Sequence, residues 1–291
     1  MNGNDAPDEP DFLPTLRLVD TGANTGEVIY TASSHWSPGG RVFGGQVLAQ
    51  AIVAAQSTID DRAIHSMHGY FLRPGDIGQP ITIAVERIHD GRSFATRRAQ
   101  AYQGGVPIFS MIASFQRSDV GVEHQVSAPE GLPDPEALPS AASLLQAIDH
   151  PVARAWAKRS IDVRHVEGPV FVGAADQRTA QQAVWMRVLG QLPDDPSLHR
   201  AILAYASDLS ILEPVMRRHG LAWGTPGLKT ASLDHAMWWH RDGRADEWVL
   251  YTQDSPSAQG GRGLAFGRMF DREGRLLATV AQEGMVRAPS L

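Results

Sequence analysis

The chain offers water, oxygen or nitrogen as a nucleophile and nothing softer. None of its 291 residues is a cysteine, so thiolate attack, disulfides and thiolate metal sites are excluded. No His-Glu-x-x-His zinc motif, no phosphate-binding Walker loop and no Gly-x-Ser-x-Gly nucleophile elbow occurs. The run Gly261-Arg262-Gly263 with Gly267 enters a strand rather than a helix, which suits turn and strand glycines and not a dinucleotide site. His65 and His68 flank Ser66, but a spacing of three in a strand puts them on opposite faces and argues against a shared metal. They read as one hydrogen-bonded and one surface histidine.

Asp208 and Gln282 stand in apolar settings, and Ser232 lies in a strand. At helical spacing Asp208 shares a face with Ala201, Tyr205 and Leu212, where its charged form is penalised unless donors compensate. It is either a tuned general base or an aspartate that caps or pairs locally. Ser232 lies in a strand, where a satisfied hydroxyl is ordinary. Gln282 directly follows the apolar segment Leu276 to Ala281, and a buried amide there must find partners or cost about 1–3 kcal/mol. Trp223, Trp238, Trp239 and Trp248 gather in the same part of the chain, with core filling as their default use.

The elements that position these residues read as two similar units. The length suits two domains of about 130 residues. Leu16 to Ser33 reads as a short strand pair, and His35 to Gly45 as a glycine-rich loop. Gln46 to Gln56 is a helix of small apolar residues on nearly every side, as expected of one enclosed by a sheet. Four alternating segments follow, separated by Pro74-Gly75-Asp76, Asp90-Gly91 and Gly104-Gly105. Arg117 to about Ser140 is rich in Pro, Glu, Asp and Gly and reads as a linker. Beyond it come strands near Ile161 to Glu167 and Ala183 to Leu189, then a helix expected over Pro196 to Met216. A second meander follows, over Gly227 to Trp239, Glu247 to Gln253, Gly263 to Phe270 and Leu276 to Glu283, with a hairpin at Asp271 to Gly274. Laid over each other at an offset of 166, the spacing of Ser66 from Ser232 and of Gln116 from Gln282, the units predict an internal repeat.

The net charge of -6 without a basic block argues against nucleic acid. No run of about 18 apolar residues occurs, so no membrane span is expected. The polar, acidic start MNGNDAPDEPDFLP lacks the features of a signal peptide, and a cytoplasmic protein with a frayed N-terminus is expected.

Several segments together resemble the acyl-CoA thioesterase II family of double hot-dog hydrolases. In the first half they are Val42-Phe43-Gly44-Gly45-Gln46-Val47, the run His65-Ser66-Met67-His68-Gly69-Tyr70-Phe71-Leu72-Arg73-Pro74-Gly75-Asp76, and Asp90-Gly91-Arg92-Ser93-Phe94. In the second half they are Tyr205-Ala206-Ser207-Asp208, Ser232-Leu233-Asp234-His235-Ala236-Met237-Trp238, Glu247-Trp248 and Gln282-Glu283-Gly284. The resemblance implies an α+β double hot-dog fold, two antiparallel sheets each wrapped around a long helix and packed side by side. The expected layout is a disordered tail over 1–14, hot-dog domains over 15–117 and 159–291, and a linker over 118–158. The family's catalytic aspartate, hydroxyl residue and glutamine fall on Asp208, Ser232 and Gln282, with serine where some relatives carry threonine.

The resemblance implies hydrolysis of acyl-CoA by an activated water, with acyl-CoA as the partner molecule and neither cofactor nor metal. A thiolate leaves readily enough that no strong general acid is needed. The tryptophans could then line an acyl tunnel, and Arg97, Arg98 or Arg262 could receive CoA phosphates, although solvated arginines on a strand face are more common. A homo-oligomer, dimer or tetramer, is expected from the way hot-dog proteins assemble. Two other readings share the fold: a hydratase or dehydratase acting on acyl-CoA, and a non-catalytic acyl-CoA binding protein.

Overall fold

The computed structural model describes residues 10–288 except 24, 36, 172 and 174–177. The first half runs β1 (Val19–Asp20), β2 (Glu27–Ala32), α1 (Gly44–Gln56), β3 (Ala63–Phe71), β4 (Ile81–Asp90), β5 (Phe94–Gln103) and β6 (Val106–Gln116). Two short helices follow, α2 (Ala141–Gln146) and α3 (Pro151–Trp156). The second half runs β7 (Ile161–His165), β8 (Gln181–Val188), α4 (Pro196–Ser207), α5 (Glu213–His219), β9 (Lys229–Ser232), β10 (Asp234–Trp239), β11 (Val249–Gln259), β12 (Arg262–Phe270) and β13 (Leu276–Arg287).

The strands lie in the order β1-β2-β4-β5-β6-β3-β10-β13-β12-β11-β8-β7, with β9 also on β13. The expected pair of sheets is therefore one continuous sheet, joined where β3 and β10 pair antiparallel with Met67 opposite Met237 and Gly69 opposite His235. About that seam the halves repeat in reverse order. The first half curls its apolar face around α1 and the second around α4 and α5, and the main apolar core runs through both. α1 is buried nearly all round, as its run of Ala, Leu, Ile and Val requires. It packs against α4 with almost no space between backbones: a Cβ on Gly45 would lie 2.4 Å from the Tyr205 carbonyl oxygen. Glycine at this position sets the helix separation.

Of the tail expected over 1–14, residues 1–9 lie outside the described residues. By Phe12 the chain is already packed, with the Phe12 ring stacked on Tyr205 at 4.7 Å between centroids. The helix expected over Pro196 to Met216 is interrupted after Ser207. Pro214 has no N–H for the Ser210 carbonyl and its ring would strike that group, so the chain turns and restarts as α5. The Ser210 carbonyl accepts from Glu213 N–H instead, at 2.9 Å. The strand expected over Gly227 to Trp239 is likewise split at Leu233. There Asp234 Oδ1 takes the Glu283 N–H at 2.7 Å, and Leu233 N–H donates to the Glu283 carbonyl. This break re-aims Ser232, a common use of strand irregularities beside sites.

The repeat holds in strand order but not at one offset. Gly69 opposite His235 keeps the spacing of 166 across the seam. Ala99 and Ala265 also keep it, yet Ala99 faces Met111 and Ala265 faces Gln282. Met111 is thus the counterpart of Gln282, and Gln116, opposite Phe94, is not. The hairpin through Asp271 and Gly274 is longer than the Gly104-Gly105 turn and shifts the last strand. The helices differ by 152 at their first residues, Gly44 and Pro196, because α5 and its flanking turns are inserted only in the second half.

Candidate active site

Asp208 ends α4, Ser232 ends β9, and Gln282 sits on β13 facing the helices. The structure brings the three together. Ser232 Oγ donates to Asp208 Oδ1 at 2.9 Å, and Gln282 Nε2 lies 3.0 Å from both Asp208 Oδ1 and Ser232 Oγ. The first turn of α1 closes the other side, since a Cβ on Gly44 would lie 2.7 Å from Asp208 Oδ2. The Gly45 N–H, which has no acceptor within its own helix, hydrogen-bonds the carboxylate.

Asp208 opens onto a cavity but is otherwise surrounded by protein. Burial pushes its carboxyl above the ordinary carboxylate range, while charge on His235 and then hydrogen bonds from Gln282, Ser232 and Gly45 N–H pull the other way. Behind Gln282 the network continues: His235 Nδ1 meets Gln282 Oε1 at 2.5 Å, and His235 Nε2 lies 3.0 Å from Ser207 Oγ. Sequence reasoning did not find His235 or Ser207, because a single histidine in a strand carries no motif. Their positions inside the run from Ser232 to Trp238 and next to Asp208 were the available signal.

The cavity has a volume of about 880 Å³ and is mostly apolar. Val42, Phe43, Val47 and Phe71 come from the first half, Leu209 and Leu212 from the turn after Asp208. Leu145, Ile148, Val152 and Trp156 come from α2, α3 and their connection, within the segment expected as a linker. Arg41 and Arg73 line it as well. The arginines considered from sequence are engaged elsewhere: Arg97 is buried against Asp90 and Thr58, Arg98 pairs with Glu86, and Arg262 pairs with Glu283. Of the four tryptophans, Trp223 lines the cavity. Trp239 is core, and Trp248 is buried beneath the guanidinium groups of Arg187 and Arg164. His65 bonds Ser114 Oγ at 2.9 Å, while His68 sets its ring edge-on to Trp238 on the exposed face. Among the described residues no group of three or more potential ligands could hold a metal, and no helix is long and apolar enough to cross a membrane.

A second buried carboxylate, Glu213 of α5, borders the same cavity. Its Oε2 accepts from Gln182 Nε2 at 2.9 Å and meets His165 Nε2 at 2.8 Å, and Oε1 accepts from Trp223 Nε1 at 2.9 Å. Burial favours its neutral form, but His165 and these donors outweigh that and hold it below its ordinary range. It therefore stays ionised, with α5 fixed to β7 and β8.

Comparison with known proteins places the chain in a family. Residues 32–116 match the acyl-CoA thioesterase N-terminal domain model and 155–285 the acyl-CoA thioesterase model. "Acyl-CoA thioesterase 2" of Haemophilus influenzae is 37% identical over 256 residues, 85% of this chain and 88% of that protein. The crystal structure of an acyl-CoA thioesterase II from Mycobacterium marinum has a TM-score of 0.75 at 40% identity, covering 96% of this chain and 98% of that one. A hot-dog protein from Alicyclobacillus acidocaldarius, 19% identical with a TM-score of 0.77 over 96% of this chain and 98% of that one, shares the fold. With two family models matched in order and such identity across most of its length, the chain belongs to the acyl-CoA thioesterase family of hydrolases, on an α+β hot-dog fold.

Proposed function

We propose that the protein hydrolyses fatty acyl-CoA to the free acid and CoA by direct attack of water on the thioester, with Asp208 as general base. The observation that carries this reading is the set of hydrogen bonds among Asp208, Ser232 and Gln282 at the wall of a largely apolar cavity. Water oxygen bonds to the carbonyl carbon while its proton passes to Asp208. Ser232 and Gln282 fix the carboxylate through its Oδ1, and the remaining lone pair of Ser232 Oγ is open to the water. Collapse breaks the C–S bond, and the departing thiolate takes the proton from Asp208. No covalent intermediate forms.

Release of CoA in a thiol-trapping assay tests the reaction. A hydratase or dehydratase leaves the thioester intact and a binding protein releases nothing, so absence of free thiol with folded protein and saturating acyl-CoA overturns the reading. Oligomerisation through the edge strands belongs to the same proposal, and light scattering that gives a dimer or tetramer mass supports it.

A further inference from the structure

The amide of Gln282 can be placed two ways, and only one serves the chemistry. With Nε2 toward Asp208, the amide donates to the carboxylate and to Ser232 Oγ, both at 3.0 Å. Flipped, its oxygen would face the carboxylate oxygen, and two acceptors would oppose each other in a buried place. Rotation about the last side-chain bond is soft, so something must select the orientation. Gln282 is fully buried and its Oε1 has one partner, His235 Nδ1.

His235 is itself constrained. It is buried, and burial holds its imidazole toward the neutral form, in which one nitrogen carries the proton. If that proton sat on Nε2, the Nδ1 lone pair would point at the Gln282 oxygen across the closest contact of the site. If it sits on Nδ1, the ring donates to Gln282 Oε1 and Nε2 is left as an acceptor. Ser207 Oγ lies 3.0 Å from that Nε2 and can donate to it. The same hydroxyl donates to the Ala204 carbonyl at 2.7 Å, the ordinary bond of a helical serine, and its single proton serves the histidine only when that bond is released. The chain of donors then runs one way, from Ser207 to His235 to Gln282 to Asp208.

We infer that His235, with its tautomer set by Ser207, is a positioning residue that holds the Gln282 amide with its N–H groups toward Asp208 and Ser232. It touches neither water nor thioester. This rests on the reading of Asp208, Ser232 and Gln282 as the catalytic set. The first half of the chain carries no such device: Gly69 stands opposite His235 at the seam, and Met111 is the counterpart of Gln282.

Steady-state kinetics with a saturable acyl-CoA test it, using His235→Leu, His235→Asn and Ser207→Ala, each alone and combined with Gln282→Ala. A released amide misplaces the donors by about an ångström, so His235→Leu is expected to lower kcat by roughly ten- to a hundredfold with KM within about twofold. Asparagine can present an N–H near the place of Nδ1, so His235→Asn should recover much of the loss. In the Gln282→Ala background His235→Leu should cost less than about twofold more, because it acts only through the amide. Ser207→Ala should lower kcat in the same direction.

In ¹⁵N spectra of histidine-labelled enzyme, His235 should show a protonated Nδ1 and an unprotonated Nε2. A wild-type rate in folded His235→Leu, a multiplicative loss with Gln282→Ala, or an Nε2–H tautomer each overturns the inference. If His235→Leu fails to fold, the asparagine and Ser207 variants and the tautomer decide it. An undiminished rate in Gln282→Ala would instead overturn the catalytic set, whatever His235 does.

Discussion

Gln282 Nε2 lies 3.0 Å from Asp208 Oδ1 although 74 residues of chain separate them, and that same oxygen also accepts the Ser232 hydroxyl at 2.9 Å. One carboxylate oxygen is thereby saturated with donors. The other, Oδ2, is the one beside Gly44 at the start of α1. The two oxygens have different surroundings, and a base that must take a proton works from the less encumbered one.

Asp208→Asn keeps the shape and an acceptor oxygen for Ser232 and Gln282, but an amide takes no proton from water at any accessible pH. The expected result is a kcat lower by at least about a hundredfold, the low end of what a general base contributes. Loss of a desolvated charge favours folding, whereas an amide N–H facing the Gly45 N–H opposes it. Circular dichroism should therefore show a native fold. A folded variant with a near-normal rate of thiol release excludes Asp208 as the base.

The pH profile follows from the direction of the Asp208 shift. Burial raises its pKa, so the carboxyl is protonated at a higher pH than an ordinary aspartate, whose value is about 3.9. A base must be ionised, and the rate should fall as pH drops through the raised value. The stability effect has the matching sign: the folded state binds the proton more tightly than the unfolded chain. Asp208 therefore subtracts from stability above its folded pKa, and the penalty is relieved as pH falls through it. A kcat/KM profile whose acid limb lies at or below the ordinary aspartate value contradicts this assignment.

Much of the element order is legible in the residues themselves, since alternation and turn glycines mark β3 to β6 and β11 to β13. The meeting of Asp208, Ser232 and Gln282 was reached through the resemblance, because no spacing rule links residues so far apart. What went unread has physical causes. The apolar pattern runs straight across Ser207 to Met216, and only Pro214 signals the break that exposes Asp208. Strict alternation in β6 already puts Met111 inward with Phe109, Ala113 and Phe115, and Gln116 outward, so a comparison by identity alone picked the wrong glutamine partner. The stretch from 118 to 158 has a linker's composition in its first part, while Leu145, Ile148 and Trp156 in its later part carry the apolar surface that covers the cavity.

Gly44 and Gly45 are adjacent but should fail differently when given a side chain. A methyl at Gly45 meets the Tyr205 backbone carbonyl at 2.4 Å, and backbone cannot swing aside. Gly45→Ala must separate α1 from α4 and is expected to cost about 1–3 kcal/mol of stability, read by denaturant unfolding. A methyl at Gly44 meets Asp208 Oδ2 at 2.7 Å and the Phe71 ring at 3.2 Å, both of which are side chains able to shift. Gly44→Ala should lose activity, about tenfold or more, out of proportion to any change in midpoint. Equal destabilisation and equal rate loss for the two variants would remove the distinction.

The sheet is nearly symmetric about the β3–β10 seam, yet the chemistry should occupy one half only. At the end of α1 stands Gln56, where α4 ends at Asp208, and its amide is spent on the Ile59 and Arg62 carbonyls and the Ile64 N–H. On the last strand Met111 replaces Gln282 and has no hydrogen-bond donor to offer. The insertion containing α5, which brings Leu212, Glu213 and Trp223 to the cavity, also has no counterpart before β3. A base, a donor and a wall are thus missing together, so no single substitution in the first half should create a second site. Calorimetric titration with a non-hydrolysable acyl-CoA analogue is expected to saturate at one site per chain. Asp208→Asn should retain that stoichiometry, because the cavity does not depend on the charge, while widening the gap between tight binding and slow turnover. Two equivalent sites per chain, or binding that survives when bulky substitutions at Leu212 and Val152 fill the cavity, would place the substrate elsewhere.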